Sequence, residues 1–202
     1  MTDISSVTTI YLLRHGDYEN PLNIFHGRLP GFPLSTLGLE QARRLGESMA
    51  DLPITAVYAS PLTRTYQTAQ AIANIHHLPV QTDDRLMDLV TPLQGKPISY
   101  MESINWSFFR REFIKQGGEK LSQVFSRMDS CIREKAALHP GKHIVFLSHG
   151  DPVMAIKIKY LGMALRSRKE MYPYVEVAAG YIIRMDGLGK ILSVANFPEQ
   201  TH

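Results

Sequence analysis

The sequence predicts an α/β fold, a three-layer sandwich in which a mostly parallel sheet lies between two layers of helices. Short apolar runs rich in β-branched residues alternate along the chain with segments of helical period, which is typical of such sheets. Two of the runs end on the same tripeptide, His-Gly-Asp, at His15 and at His149. With 202 residues the chain can bury one sizeable core, so we expect a single domain over residues 1–202.

The amino-terminal half alternates strand signals with helix starts. Apolar runs predict three strands, at residues 9–14, 55–59 and 80–82. After a loop rich in Gly and Pro, Ser35 or Thr36 precedes a helical period and is therefore an N-cap candidate. Ser60-Pro61 has the residue types of an N-cap and a first helical position, which predicts a helix from there to about Ile75.

The carboxyl-terminal half resumes the alternation after an irregular stretch. Residues 88–118 carry only short helical signals and are predicted to form a small helical lid over one end of the sheet. An amphipathic helix to about Leu138 precedes the strand that ends on His149, and Asp151-Pro152 begins the next helix. Two strands are predicted between residues 176 and 197.

Composition narrows the class of protein and its partners. The net charge is +3 without a run of Lys or Arg, so we expect an anionic small molecule and no nucleic acid as partner. No apolar stretch reaches the length of a membrane span, so no membrane association is expected. The single cysteine, Cys131, cannot form an internal disulfide, which fits a soluble protein of the cytoplasm. The sequence does not distinguish a monomer from a homodimer.

Cationic and titratable side chains are predicted to gather beyond the carboxyl ends of the strands, where ligands bind in open α/β sheets. Arg14 and His15 close the first strand, Arg64 lies in the first turn of a helix, and His149 closes the later strand. Two guanidinium groups, two imidazoles and helix N-terminal amides suit a phosphate dianion. Paired histidines also bind metals, but adjacent arginines would repel a cation, so we expect no metal.

These residues stand in motifs that resemble the histidine phosphatase superfamily, also called phosphoglycerate mutase-like. Its Leu-Arg-His-Gly signature is similar to Leu13-Arg14-His15-Gly16, and Asn20 follows as in many members. The matching blocks further along the chain are Gly27-Arg28 to Pro33-Leu34, Ser60 to Ala69, Gly118-Glu119 and Ser148-His149-Gly150. The resemblance spans most of the chain, and the blocks occur in the order that the family shows.

The resemblance implies a mechanism and a set of site residues. His15 would attack phosphorus and form a phosphohistidine, with its tautomer fixed by a backbone carbonyl. Arg14, Arg64 and His149 would hold the phosphoryl oxygens. Substrate-binding roles are implied for Asn20, for Arg28 at the pocket mouth and for Gly150, and no cofactor is expected. For His26, in the same loop as Arg28, the prediction is a solvated side chain.

The carboxyl group that protonates the leaving oxygen is the point at which this chain departs from the family pattern. Many members have Glu where this chain has Asp88, and Pro92 stands about where the first Gly of a following element is expected. Asp88 is the predicted acid and base, with Asp17 or Glu19 as the alternatives.

The resemblance leaves three functions open. A metal-independent phosphomonoesterase acting on a small phosphorylated metabolite is favoured, because the interval from Asp88 to His149 is short and leaves room only for a modest lid. A cofactor-dependent phosphoglycerate mutase would need a larger enclosing insertion. A sensor that binds phosphorylated ligands without turnover is the third hypothesis, suggested by the Asp that replaces Glu.

Overall fold

Six strands form one sheet in the computed structural model, which describes residues 6–164 and 171–198. The strands are β1 (Thr8–Arg14), β2 (Ile54–Ala59), β3 (Val80–Thr82), β4 (His143–Ser148), β5 (Gly180–Met185) and β6 (Ile191–Phe197). Their order across the sheet is β3-β2-β4-β1-β5-β6. Strands β1 to β4 pair in parallel, whereas β5 and β6 pair antiparallel at one side. The predicted, mostly parallel sheet is confirmed.

Helices cover both faces of this sheet. They are α1 (Thr36–Ser48), α2 (Thr63–Ile75), α3 (Ile98–Ser103), α4 (Arg111–Lys115), α5 (Leu121–Leu138) and α6 (Gly150–Tyr160). Successive strand residues point to opposite faces, so Tyr11 and Leu13 pack with α1 and α2, while Ile10 and Leu12 pack with α5 and α6. The prediction of three layers is therefore confirmed. No helix in the described part of the chain is both long and apolar enough to cross a membrane.

The two predicted serine caps have different outcomes. Ser35 caps α1, because its Oγ accepts a hydrogen bond from the Gly38 amide at 3.0 Å. The helix predicted to begin at Ser60-Pro61 instead begins at Thr63, with Leu62 at the N-cap and no side-chain cap. The hydroxyl of Ser60 is fully buried, bonds to His149 and accepts from the Leu62 amide at 3.4 Å, one residue before the helix begins.

The segment predicted as a lid, residues 88–118, contains only the short helices α3 and α4. Several of its apolar side chains belong to the same hydrophobic core as α5, among them Leu89, Met101, Phe108 and Phe113. Between α3 and α4 the backbone of Trp106 has a positive φ of 52°, an uncommon conformation for a bulky residue. The lid is thus packed into the core on the α5 and α6 side of the sheet.

Candidate active site

The parallel pairing of β1 with β4 brings the two strand-end histidines together. Arg14 lies opposite Ser148 in the register, so His15 and His149 follow at the same edge of the sheet. The amide of His15 donates to the carbonyl of Ser148 at 3.2 Å, and the two imidazole centroids are 5.2 Å apart. Both side chains are buried. The expectation that two strands deliver their histidines to one site agrees with this geometry.

The tautomer of His15 is fixed by a backbone carbonyl. Its Nδ1–H donates to the carbonyl oxygen of Gly16 at 2.7 Å, because that oxygen can only accept. The lone pair therefore lies on Nε2, to which Nε of Arg64 donates at 3.3 Å. Burial, with the nearby charges of Arg64 and Arg14, holds the pKa of His15 well below its ordinary value of 6.5. The imidazole is accordingly neutral and nucleophilic at neutral pH.

Arg64 lies at the centre of the site. It is only 1 % exposed, and its Nη2 contacts the carbonyl of Gly27 at 2.9 Å, Nδ1 of His149 at 3.1 Å and Oδ2 of Asp88 at 3.5 Å. Burial lowers the pKa of Arg64, although a guanidinium remains charged in proteins. Thr68, one turn after Arg64 on α2, accepts a hydrogen bond from the Gly16 amide at 3.1 Å. One fixed cation thus touches the candidate nucleophile, the second histidine and the candidate acid.

Arg14 supplies a second guanidinium at the cavity. Its Nη1 donates to the carbonyl of Val175 at 2.8 Å, and its guanidinium lies 5.5 Å from the centroid of the Tyr174 ring. Its buried Nε has no hydrogen-bond partner within the described residues. A buried N–H without an acceptor is costly, so this donor is suited to an anionic ligand oxygen.

His149 is oriented from both sides. Its Nδ1 accepts from Arg64, so in the neutral ring the proton lies on Nε2, which donates to Oγ of Ser60 at 2.9 Å. Burial, followed by Arg64 and His15, holds the pKa of His149 well below 6.5. The sequence analysis missed Ser60 as a site residue, because a serine before a proline at a helix start has the pattern of a cap.

Gly150 follows His149 and begins α6. A Cβ on Gly150 would lie 2.2 Å from the hydroxyl of Tyr174, so the tyrosine ring occupies the space that any larger residue would need. Gly150 and Tyr174 both line the cavity, which places the first turn of α6 beside the two histidines. An anionic ligand at this point would face the positive end of the helix.

The carboxyl group of Asp88 is buried at the same place. Its Oδ1 accepts from the Leu89 amide at 2.9 Å, and its Oδ2 lies 3.8 Å from Nδ1 of His149. Burial raises the pKa of Asp88 above 3.8, against the lowering effect of Arg64. Of the alternatives, Asp17 accepts from the hydroxyl of Ser35 at 2.5 Å and Glu19 is exposed, and neither lines the cavity.

Arg14, His15, Asp88 and Gly150 form the floor of a cavity of about 260 Å³, whereas Arg64 and His149 are not part of its lining. Its polar lining consists of Arg14, His15, Asp88, Gly150 and Asp151. Its aromatic and apolar lining consists of Tyr18, Phe25, His26, Ile98, Trp106, Phe108 and Tyr174. Within residues 6–164 and 171–198, no three His, Cys, Asp or Glu side chains are grouped so that they could hold a metal ion. The arrangement suits a phosphoryl group on the floor with its organic portion against the aromatic side.

The prediction of a solvated His26 is wrong. The imidazole is 5 % exposed and packs, tilted, against the rings of Tyr18 and Phe32, with centroids 4.2 Å and 5.2 Å away. Burial and the charges of Arg64 and Arg14 lower its pKa to about 3. The loop contains three aromatic residues that pack around His26, and this apolar content was a signal that its Gly and Pro residues obscured.

Two of the predicted substrate-binding side chains are engaged elsewhere. The amide of Asn20 donates to the carbonyl of Ile24 at 2.9 Å and so closes its own loop. Arg28 donates through Nε to the carbonyl of Asp88 at 2.6 Å, and its Nη2 lies 3.4 Å from Glu119. Neither side chain lines the cavity, so their contact with a substrate stays a prediction.

Known proteins are similar to this chain over most of its length. A family model described as the histidine phosphatase superfamily (branch 1) matches residues 10–197. An uncharacterized Mycobacterium tuberculosis protein, Rv0525, is 33% identical over 163 residues, which cover 78% of this chain and 81% of the relative. Phosphoserine phosphatase 1 of Hydrogenobacter thermophilus is 31% identical over 166 residues, 77% of each chain.

Further matches include a mutase-named relative and a solved structure. The probable phosphoglycerate mutase GpmB of Yersinia pestis is 27% identical over 173 residues, 80% of this chain and 79% of the relative. The structure of Bacillus stearothermophilus YhfR superposes with a TM-score of 0.81 at 24% identity, over 96% of this chain and 98% of that one. The fold therefore extends over nearly the whole of both chains.

Proposed function

Because the chain belongs to branch 1 of the histidine phosphatase superfamily, we propose that it is a metal-independent phosphomonoesterase that hydrolyses a small phosphorylated metabolite. The observation that carries the proposal is the state of His15, a buried, neutral imidazole whose Nε2 lone pair accepts from Arg64 in a cavity that Arg14 also lines. A relative that covers most of the chain is named a phosphoserine phosphatase. No metal is invoked, since Arg14 and Arg64 already supply positive charge for the phosphoryl oxygens.

The first step transfers the phosphoryl group to His15. Nε2 forms a bond to phosphorus while the bond to the ester oxygen breaks, and the protonated carboxyl of Asp88 donates its proton to that oxygen. Burial, which raises the pKa of Asp88, favours this protonated form. Arg14 and Arg64 stabilise the charge on the phosphoryl oxygens. The negative charge of the phosphoryl group also favours protonation of His149. Its Nδ1 no longer accepts from Arg64 once that guanidinium turns to the phosphoryl oxygens, and Nδ1–H then donates to one of them.

The second step returns the enzyme to its starting state. A water molecule attacks phosphorus, and the carboxylate of Asp88 accepts its proton. The bond between phosphorus and Nε2 breaks, so that inorganic phosphate leaves and His15 is again neutral. The same carboxyl group thus serves as acid in one step and as base in the next.

Phosphatase activity is favoured over mutase activity by the size of the lid. A mutase must keep its phosphoenzyme away from water, and here residues 88–118 add only α3 and α4. The relative named as a probable phosphoglycerate mutase keeps isomerisation as the second candidate. An assay of phosphoglycerate isomerisation with a bisphosphoglycerate primer separates the two, because a phosphatase releases phosphate faster than it isomerises.

The direct test measures phosphate release from a panel of alkyl and aryl phosphomonoesters in excess EDTA. His15→Ala should abolish release, and His77→Asn is the matched control because His77 is exposed beyond the far end of α2 from Arg64. Asn suits that position, where φ is 53°. Release that survives in His15→Ala, or that requires a metal, would contradict the mechanism. Tight phosphate binding without any release would favour the sensor hypothesis.

A further inference from the structure

The segment that carries Asp88 is held by its backbone carbonyl groups. It follows a short 3-10 turn, Asp84–Leu86, and is not part of a strand or an α-helix. The hydroxyl of Ser148 donates to the Leu86 carbonyl at 2.7 Å. Arg127 on α5 donates to the carbonyls of both neighbouring residues, Arg85 and Met87, at 2.7 Å each. Side chains from distant parts of the chain therefore fix the path of this segment.

Arg127 uses its whole guanidinium in this contact. Besides the two bonds from Nη1, its Nη2 donates to the carbonyl of Asp88 at 3.1 Å and to Oε2 of Glu119 at 3.1 Å. Its Nε donates to Oε1 of Glu119 at 2.8 Å. A guanidinium has five N–H donors, and these contacts account for all of them. Only one orientation of the side chain satisfies this set.

Glu119 connects Arg127 to Val90, two residues after Asp88. Its Oε2 accepts from the Val90 amide at 2.9 Å, and its own amide donates to the Val90 carbonyl at 2.8 Å. Arg28 adds a second donor to the Asp88 carbonyl, at 2.6 Å, and its Nη2 approaches Glu119. The ion pair of Glu119 with Arg127 is 15% exposed on both sides, so it is largely shielded from solvent.

We propose that Arg127, held by Glu119, is a positioning residue that places the carboxyl of Asp88 for proton transfer to the leaving oxygen. The carbonyl that Arg127 and Arg28 bind belongs to the same residue as the candidate acid, so displacement of that carbonyl displaces the carboxyl. The carboxyl lies 3.5 Å from Arg64 and 3.8 Å from His149, distances that a shift of the segment would change. The inference rests on the role that the proposed function gives to Asp88.

The test compares kcat/KM for 4-nitrophenyl phosphate with that for the fastest alkyl phosphate of the panel. An alkoxide leaves poorly without a proton, whereas 4-nitrophenolate leaves readily, so misplacement of the acid affects mainly the alkyl ester. Arg127→Met should lower kcat/KM about tenfold for the alkyl ester and less than about threefold for the aryl ester. In the background of Asp88→Ala, the further effect of Arg127→Met should be less than about twofold.

The matched control is Arg133→Met, on the same helix, whose guanidinium pairs with Asp129 away from the site and which should leave both substrates unchanged. If Arg127→Met fails to fold by circular dichroism, Glu119→Gln provides the same comparison. Equal losses on both esters, or additive losses with Asp88→Ala, would overturn the inference. The wild type and Asp88→Ala test the proposed function separately, because that function fails if the wild type releases no phosphate.

Discussion

The hydroxyl of Ser60 lies 2.9 Å from Nε2 of His149, on the opposite side of the imidazole from Arg64. Because Arg64 can only donate, Nδ1 accepts and Nε2 carries the proton. The Ser60 oxygen is therefore the acceptor that keeps His149 in one tautomer and one orientation. This bond is formed at the start of the block that supplies Arg64, so a single segment positions two of the site residues.

Ser60→Ala should lower kcat/KM without preventing folding. The change leaves a buried N–H of His149 without its acceptor, which costs about 1–3 kcal/mol. If His149 acts in the transition state, this corresponds to a loss of about fivefold to 150-fold. Steady-state assays beside Ser126→Ala, an exposed serine on α5, check the effect. Unchanged kinetics in Ser60→Ala would show that the orientation of His149 does not depend on this bond.

Asp88→Ala and Asp17→Asn should have different effects. Loss of the acid should lower kcat/KM for alkyl esters about 10²–10⁴-fold and for aryl esters much less. Asp17 accepts from Ser35, which caps α1. Asp17→Asn should therefore cost about 1 kcal/mol of stability and leave the ratio of kcat/KM for alkyl and aryl esters unchanged. Kinetics and urea unfolding of both variants provide the comparison. An ester ratio that changes in Asp17→Asn instead would assign the proton transfer to Asp17.

The pH dependence of kcat/KM should differ between ester types on the alkaline side. His15 must be neutral, and its lowered pKa keeps it so until well below pH 6.5. Asp88 must be protonated for alkyl esters, so their kcat/KM falls as pH rises through the pKa of Asp88, which lies above 3.8. Aryl esters do not need the acid and should lack this fall. Profiles for the two esters, measured from pH 4 to about pH 9, check it; coincident alkaline limbs would contradict the prediction.

His26 should make the folded protein less stable at acidic pH. Its pKa is about 3 in the fold and 6.5 ordinarily, so between these values the unfolded chain binds the extra proton, and stability falls as pH drops through 6.5. For His26 alone the loss from pH 7 to pH 5 is about 2 kcal/mol. Urea unfolding of His26→Gln at both pH values should show a correspondingly smaller difference than the wild type. His77→Asn should retain the full difference.

The parts of the site that could be predicted from the sequence are those set by the sheet. Two strand ends with the same tripeptide are enough to bring His15 and His149 together, because the carboxyl ends of parallel strands meet at one edge. The position of Arg64 can be predicted in the same way, because it lies in the first turn of the helix that follows β2. These positions depend on backbone direction, which local patterns of apolar residues predict.

The parts that could not be predicted depend on contacts between distant segments. Ser35 and Ser60 precede helices alike, but Ser35 caps its helix, whereas the hydroxyl of Ser60 bonds to His149, far along the chain, and α2 has no side-chain cap. Arg28 turns from the cavity because Glu119 and the carbonyl of Asp88 attract its guanidinium. Such pairings leave no periodic signal in the sequence.

The packing of the lid has a consequence for how substrates come and go. Leu89, Met101 and Phe113 lie in the same core as α5, so a swinging motion of residues 88–118 would expose them to water at about 1.5–3 kcal/mol for each side chain. Substrate and product should therefore pass through an opening that is always present, rather than through a gate that opens in every catalytic cycle. Turnover should then be insensitive to added glycerol or sucrose, since solvent viscosity slows diffusive gate motions and leaves bond-breaking steps unaffected.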